Sequence, residues 1–600
     1  MTLTSEQRVV VEQPAGALTL VTAGAGAGKT YTLVSRLERL MEELNAGEIL
    51  ALTFSRSAVR ELRERLLDQG GSVRHVHAQT FDSWALDLLT NVEADGDWYR
   101  RSFEGRIAAA QRAIERGLAD DLFEDLRHVV VDEVQDLVGS RRDLVETLLE
   151  RFDCGFTVVG DPAQSIYGFT VPKADERAGE TNRFFDWLRV TFGEELTELS
   201  LSGNFRGQSQ EARSALDFGP RLRANAEVGA APGEPLYVEL RDSLRSCLNL
   251  GRLDGFTADV LGDYNGTTAV LCRTNGQALI VSEALRRFGV PHRLRRSAQD
   301  RMTPAWVADL FHGTDGWSLS RERFDRVSIP DGYDRDKVWR CLQRTCDTRG
   351  RILDLSRLRT AIAAGRMPDE LTDEPSCDLV ISSFHRAKGL EFDRVVVVDP
   401  GPLDPARDAV DPSEEARLLY VAMTRPRHEL EWLDALNTGG IRIDRGTGRW
   451  ARYGYRHWVR SGLEVTGSDV HPGLPAGQEY LRDRVAAGDE VVLLRADGES
   501  ATDEESPSYT VSHDGREIGV MSQGFRSDLH RLLRTSRSFR PRNWPKAVTG
   551  LHVDDLETVA GTEAAGSRAG LGPHGIWLAP RLMGLGTFVW DGKGQIYDPA

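Results

Sequence analysis

The chain has 600 residues, with 75 lysines and arginines against 92 aspartates and glutamates and a formal net charge of −17. That balance argues against indiscriminate nucleic-acid binding through a basic surface, while leaving room for a local basic groove. No apolar run approaches the roughly 20 residues that cross a bilayer, and the N-terminus carries no apolar leader, so the expectation is a cytoplasmic protein with no membrane partner.

Cys154, Cys247, Cys272, Cys341, Cys346 and Cys377 are scattered without a C-x-x-C pair, which argues against a zinc or iron–sulfur centre and fits reduced cytosolic thiols. Lysine is confined to Lys29, Lys173, Lys337, Lys388, Lys546 and Lys593, and arginine supplies the other positive charges. An acidic, lysine-poor, arginine-rich chain fits a salt-loving prokaryote or a GC-rich genome. In high salt, phosphate contacts are screened and base stacking carries more of the grip on nucleic acid.

In chain order, Gln7 comes first. Its amide donates and accepts together, which suits the edge of adenine. An apolar run over 16–21 then leads into Ala23-Gly24-Ala25-Gly26-Ala27-Gly28-Lys29-Thr30-Tyr31, followed by an amphipathic helix over 33–44. Strand, glycine-rich turn, helix is the context in which G-K-T becomes a phosphate cradle. Gly28 lets backbone approach a phosphate, and the helix start aims free N–H groups at the anion. Lys29 then reaches the terminal phosphates and Thr30 offers its hydroxyl to Mg²⁺, so the expected cofactors are ATP and Mg²⁺.

Residues 48–54 read as a strand, and Ser55-Arg56 leads into a helix with apolar Val59, Leu62, Leu66 and Leu67. A short strand runs into another helix over 76–84, and 104–118 is helical. The run His128-Val129-Val130-Val131-Asp132-Glu133 is a buried parallel strand ending in carboxylates. Asp132 is placed to hold Mg²⁺ through water, and Glu133 to polarise the attacking water. After a further strand at 156–161, Gln164 suits sensing of the γ-phosphate, and Tyr167 and Phe169 offer rings for bases to stack upon.

Later stretches add Asn204-Phe205-Arg206, the run 269–275 ending at Asn275, His385-Arg386-Ala387-Lys388-Gly389-Leu390-Glu391-Phe392, and Tyr420-Val421-Ala422-Met423-Thr424-Arg425. Together, in this order, these motifs resemble superfamily 1 helicases of the UvrD/Rep/PcrA type over roughly residues 1–435. The resemblance implies an α/β fold of two RecA-like P-loop NTPase domains with ATP held in the cleft between them. It implies that Gln7 reads adenine, that Phe205 lies against the base, that Glu391 bonds the ribose, and that Arg206 and Arg425 act as arginine fingers. The matching single-strand contacts are Phe54, Arg56, Thr80, Phe81, Tyr167, Phe169, Asn275, Ser383 and His385.

Three departures stand out. Tyr31 replaces a usual arginine on the other adenine face, leaving a ring–base–ring sandwich. Asp82 stands where relatives often have histidine, putting negative charge near the strand path, and Thr170-Val171-Pro172 replaces an arginine–glycine continuation.

The expected domains are a first motor domain over 1–205 with a reduced insertion near 86–126, and a second over 206–435 with a reduced insertion near 295–375. A connector over 436–477 and a β-rich domain over 478–600 follow. The connector contains a hairpin-like stretch at 439–450. In the last domain 490–494, 509–511 and 575–590 read as strands, 511–520 as a hairpin turning at 513–515, and 525–534 as a helix. That domain reads as a barrel-like appendage for a protein partner or, through Arg531, Arg534, Arg537, Arg540 and Arg542, for nucleic acid.

The functional expectation is an ATP-dependent single-strand DNA translocase and 3′→5′ helicase of repair, recombination or defence, acting on single strands and 3′-tailed duplexes. Two rivals stay open. One is a DNA-gated ATPase switch that recruits a nuclease or repair protein; the other is the same motor on RNA, since stacking does not read the 2′-OH.

Overall fold

The computed structural model describes residues 2–44, 48–54, 59, 76–93, 96–98, 101–168, 174–225, 233–295, 302–314, 316–330, 333–372, 377–403, 411–436, 440–454, 460–471, 477–496, 501–502, 504–534, 543–568 and 571–591. They form two compact units. The first is Met1–Arg252, Tyr264–Arg273 and Ser382–Ala435; the second is Leu253–Asp263, Thr274–Ile381 and Leu436–Ala600. Arg56, the helix expected after it, Phe169, Thr170-Val171-Pro172, Arg537, Arg540 and Arg542 lie outside the described residues.

The first unit opens with strands β1 (Leu18–Ala23), β2 (Glu48–Thr53), β3 (Val76–Thr80), β4 (Leu126–Asp132), β5 (Gly155–Gly160) and β6 (Leu196–Leu201). They form one sheet in the order β3-β2-β4-β5-β1-β6, with every pairing parallel. Successive side chains of a strand point to opposite faces, and here both faces are dry. Leu20, Leu50, Leu52, Val129, Val131 and Val158 enter one apolar cluster. Their neighbours Val21, Ile49, Ala51, Val130 and Val159 enter another with Leu33, Val34, Leu37 and Leu40 of the helix Lys29–Leu44. This is why the strands read as continuous apolar runs. The helix begins four residues earlier than its apolar periodicity, because its first turn belongs to the phosphate loop.

Further strands are β7 (Leu248–Asn249), β8 (Thr268–Cys272), β9 (Arg293–Leu294), β10 (Ser318–Ser320), β11 (Ile352–Asp354), β12 (Leu379–Ser383), β13 (Phe392–Val398) and β14 (Pro426–Leu433). Within the first unit β7, β14, β13 and β8 pair in that order, all parallel. These parallel layers with their helices bear out the α/β class of two RecA-like domains.

In the second unit β9 pairs with β12 in parallel and β10 with β11 antiparallel. Strands β15 (Ile441–Ile443), β16 (Trp450–Tyr453), β17 (Arg460–Val465), β18 (Glu490–Arg495), β19 (Tyr509–His513), β20 (Arg516–Val520), β21 (Ala547–Ala560) and β22 (Ile576–Val589) build an antiparallel sheet ordered β15-β16-β17-β22-β21-β18-β19-β20. The β-rich C-terminal region is therefore present, and its sheet begins inside the stretch read as a connector. Among the described residues its strands pair as an open series from β15 to β20, where a barrel-like arrangement was expected. The hairpin β19–β20 turns at Asp514 (φ 47°) and Gly515 (φ 75°), the two positive angles a two-residue loop requires. One apolar core joins Trp306, Val307, Phe324, Leu342 and Leu358 from the insertion to Leu463, Leu493, Val511, Phe525 and Leu582 from the C-terminal sheet. Among the described residues no helix is long and apolar enough to cross a membrane.

Candidate active site

Strand register assembles the site. Thr22 lies opposite Gly160, Ala23 opposite Leu201, and Asp132 opposite Val159, so the segments leaving β1, β4, β5 and β6 emerge at one carboxyl edge. Ligands of open parallel sheets bind outside that edge. Everything in this site belongs to the first unit.

The phosphate loop, residues 23–30, is braced by the segment after β6. The Phe205 N–H donates to the Gly26 carbonyl at 2.8 Å, and Asn204 Nδ2 donates to the Ala25 carbonyl at 3.0 Å. Gly26 (φ 72°) and Gly28 (φ 77°) have left-handed backbones. A Cβ on Gly28 would stand 2.8 Å from Gln7 Nε2 and 3.4 Å from the Phe205 ring, so glycine is demanded by both conformation and space. Gln7 is 3 % exposed; its Oε1 accepts from the Thr4 N–H at 3.0 Å and its Nε2 donates to the Ala27 carbonyl at 3.3 Å. Each end of that amide keeps one further hydrogen-bonding position. The Phe205 ring is 54 % exposed beside the loop, and Tyr31 is half-buried on the helix.

Lys29 Nζ donates to Glu133 Oε1 at 2.7 Å. Burial works against the ammonium, but Glu133 and then Asp132 hold its pKa above the ordinary value. Burial likewise opposes the Glu133 charge, yet Lys29 and Lys388 bring it down to about 2. Asp132 moves the other way, pushed up to about 7 by burial and by Glu133. Its Oδ1 accepts the Glu133 N–H at 2.9 Å, and Glu133 sits in the left-handed region (φ 56°, ψ 42°), a strained position for a side-chain-bearing residue at a strand end. Gln135 donates to the other Glu133 oxygen and accepts the Asp161 N–H at 2.9 Å.

Gln164 is 3 % exposed and clamped on three sides. Its Nε2 donates to Asp161 Oδ2 at 2.8 Å, its Oε1 accepts from Arg425 Nη2 at 3.0 Å, and its backbone carbonyl accepts from Lys388 Nζ at 2.6 Å. Arg425 is 2 % exposed; burial, with Arg206 adding to it, brings the guanidinium down to about 9. Arg206 donates to the Thr424 carbonyl at 3.0 Å and to Glu391 at 3.1 Å, and Arg427 reaches Glu391 at 3.1 Å. Burial pulls the Glu391 pKa up, but those two arginines hold it below the carboxylate range. The ATP-site residues expected from sequence are thus brought together.

The single-strand candidates divide. Tyr167 lies 6.5 Å ring-to-ring from His385, and Lys388 Nζ stands 5.6 Å from its ring centroid. Burial, followed by Arg273 and Lys388, lowers the His385 ring to about 3 and keeps it neutral. Phe81 is 1 % exposed in the core and tilts against Phe54 at 4.8 Å, so only Phe54 of that pair shows an outer surface. Thr80 is a helix cap, its hydroxyl accepting from the Ser83 N–H at 3.3 Å, and Ser383 is 3 % exposed at the end of β12. Asn275 begins the helix Asn275–Arg287 in the second unit. Asp82 has a partner for its charge in Arg141 at 3.7 Å.

Sequence reasoning gave no role to Asn204, Gln135, Asp136 or Asp161. The Lys388–Asp136 ion pair (2.5 Å, side chains 7 % and 3 % exposed) was equally unforeseen. The signals pointing to Lys388 were its place in the stretch 385–392 and the scarcity of lysine, and neither named Asp136 as its partner.

A divalent cation fits the donors present. Mg²⁺ takes hard oxygen ligands and leans on one or two carboxylates plus phosphates, so a larger protein cage is unnecessary. Among the described residues there is none. Burial and Glu133 push the Asp132 carboxyl up to about 7 against the pull of Lys29, and a cation beside it would lower it again; Asp132 and the Thr30 hydroxyl are the oxygen donors that would hold one.

Residues 3–114 and 100–176 match the family description "UvrD/REP helicase N-terminal domain", and 356–433 match "UvrD-like helicase C-terminal domain". The chain is 23 % identical to the ATP-dependent DNA helicase UvrD2 of Mycobacterium tuberculosis over 73 % of this chain and 79 % of that protein. It is 33 % identical to UvrD1 of the same organism over 49 % of each. A crystal structure of the DUF1998 helicase MrfA bound to DNA aligns with a TM-score of 0.32 at 12 % identity, covering 73 % of this chain and 46 % of that one, a likeness too low to argue from. The motifs, the parallel sheets and the paired domain matches over 3–176 and 356–433 support a UvrD/Rep/PcrA-type superfamily 1 helicase.

Proposed function

We propose that this chain is an ATP-driven translocase on single-stranded DNA that unwinds duplexes in the 3′→5′ direction, the polarity being that of its family. The observation that carries the reading is the continuous contact from sensor to ring. Gln164 touches Arg425 through its side chain and Lys388 through its backbone, and Lys388 stands over Tyr167. A change at the γ-phosphate would move the platform on which a base stacks.

In this reading Gln7 and Phe205 hold adenine, with Tyr31 on its other face, and Glu391 bonds the ribose. Residues 23–30 cradle the phosphates, and Thr30 and Asp132 hold Mg²⁺, which when bound neutralises phosphate charge. Lys29 exchanges Glu133 for a phosphate oxygen. Freed of its main charge partner, Glu133 rises from about 2 and becomes able to orient and deprotonate water. Arg206 and Arg425 turn from Glu391 and Gln164 toward the developing charge. On the strand path, Tyr167, Phe54 and His385 offer rings, with Thr80, Phe81 and Ser383 as supports; Arg56, Phe169 and Asn275 complete the expected set. Strand displacement from duplexes with a 3′ or a 5′ tail tests the proposal. ATP-dependent displacement from the 3′ tail supports it, whereas DNA-stimulated hydrolysis without displacement from either points to the switch.

A further inference from the structure

Arg223 belongs to none of the motifs, yet it reaches the phosphate end of the site. It lies in the helix Phe218–Asn225, and its Nη1 donates to Asp161 Oδ1 at 3.1 Å. Asp161 is 0 % exposed, whereas the Arg223 side chain keeps 28 % of its surface. The same Nη1 is 4.0 Å from where a Cβ on Gly24 would stand, at the first turn of the phosphate loop. It is 3.6 Å from the corresponding point on Gly219, which lies 2.8 Å from the hydroxyl of buried Tyr420. One guanidinium therefore bonds the carboxylate at the end of β5 and stands near both the phosphate loop and Gly219, which packs against Tyr420 of the helix Pro412–Met423.

The contacts of Asp161 show what this does. Oδ1 takes Arg223 and the Ala163 N–H at 3.1 Å, and Oδ2 takes Gln164 Nε2 at 2.8 Å. An amide has one donor end and one acceptor end, so fixing Nε2 on Asp161 fixes Oε1 toward Arg425. A carboxylate in a fully buried place needs a charged partner, and a charge-assisted hydrogen bond such as the one to Nε2 is stronger than a neutral one. Of the side chains bonded to Asp161, Gln164 and Arg223, only Arg223 carries positive charge.

We propose that Arg223 is a positioning residue for the γ-phosphate sensor. It pairs with the Asp161 carboxylate and holds it in place, Asp161 orients Gln164, and the chain Arg223–Asp161–Gln164–Arg425 gives the site its preference for a nucleotide bearing a γ-phosphate. The inference rests on the ATPase reading above, and its test does not require turnover.

Equilibrium binding of fluorescent ADP and of a fluorescent non-hydrolysable ATP analogue, each with Mg²⁺, is measured on the full chain and on R223Q, R223K, D161N and the R223Q/D161N double variant, with melting temperatures alongside. R223Q should weaken the triphosphate analogue by about tenfold while ADP affinity stays within about twofold. R223K keeps the charge and should recover most of the loss. The double variant should be no worse than R223Q, because both changes break one chain. A triphosphate preference unchanged in R223Q, equal losses for both nucleotides, or additive losses in the double variant would overturn the proposal. If R223Q does not fold, R223K should keep the preference and D161N should lose it, and the opposite result overturns it equally. Single-strand-stimulated hydrolysis by the unmodified chain reports separately on the motor. Its absence alongside an intact triphosphate preference would count against the translocase and leave the sensor chain standing.

Discussion

Replacing Lys388 with methionine removes the positive member of the most enclosed ion pair in the site. The ammonium bonds Asp136 Oδ1 at 2.5 Å and the Gln164 carbonyl at 2.6 Å, with 7 % and 3 % of the two charged side chains exposed. Burial already raises Asp136 to about 6, and Lys388 keeps it from going higher. Without the lysine the carboxyl passes neutrality, so at pH 7 it must take a proton or stay charged without its partner. Breaking a buried pair on one side costs about 3–5 kcal/mol. The sign of the pH dependence follows. Wild-type Asp136 is itself mostly protonated at pH 5, so the pair is weaker there and the penalty of Lys388→Met should shrink by about 1 kcal/mol. The assay is the urea midpoint of the first unfolding transition at pH 7 and pH 5, read as a shift because a chain of several domains need not unfold in two states. Asp136→Asn combined with Lys388→Met should recover all but about 1 kcal/mol, since no buried charge remains. A Lys388→Met midpoint equal to wild type at pH 7, or a double variant no better than the single, would refute the reasoning.

Other outcomes follow from the same geometry. Glu133→Gln should keep ATP binding within about threefold but lower turnover by 10²–10⁴-fold, roughly the worth of a positioned base; near-normal single-turnover hydrolysis would remove that role. Phe81→Ala should destabilise the first unit by about 3–5 kcal/mol, as for a buried ring, while Phe54→Ala should act mainly on single-strand affinity; fluorescence anisotropy with a labelled oligonucleotide and thermal melting separate the two. His128 is 0 % exposed, its Nδ1 donating to the Ala15 carbonyl at 2.6 Å and its Nε2 accepting from Thr157 Oγ1 at 3.0 Å. Burial lowers its pKa to about 3, so the unfolded ring, titrating near 6.5, protonates first as the pH falls. Its contribution is complete above pH of about 6.5 and lost below, by about 2 kcal/mol at pH 5. In His128→Gln that part of the acid slope should vanish from urea titrations, and an unchanged slope would place the loss elsewhere.

The parts legible from sequence were those with short-range signatures. The phosphate loop, the strand ending at Asp132 and Glu133, and the helix after Lys29 are local patterns of glycine, apolar runs and charge, and the structure keeps each within a few residues. What escaped was long-range pairing. Lys388 and Asp136 are 252 positions apart, and Arg223 and Asp161 are 62 apart, so no spacing rule joins them. Phe81 read as a stacking ring because aromatic residues at strand ends serve both cores and ligands; only the packing of the helix Phe81–Val92 onto the sheet decides that it is buried. The C-terminal sheet was legible strand by strand, yet its shared core with residues 306–371 was not, because an apolar face announces burial without naming its partner.

The central claim is that nucleotide and strand are coupled through Gln164, Lys388 and Tyr167. Its most direct test is ATP hydrolysis by Tyr167→Ala with and without saturating single-stranded DNA. The account predicts unchanged basal hydrolysis in this variant with at least a tenfold loss of DNA stimulation, about 1.4 kcal/mol of coupling. Full stimulation at saturating DNA would contradict it.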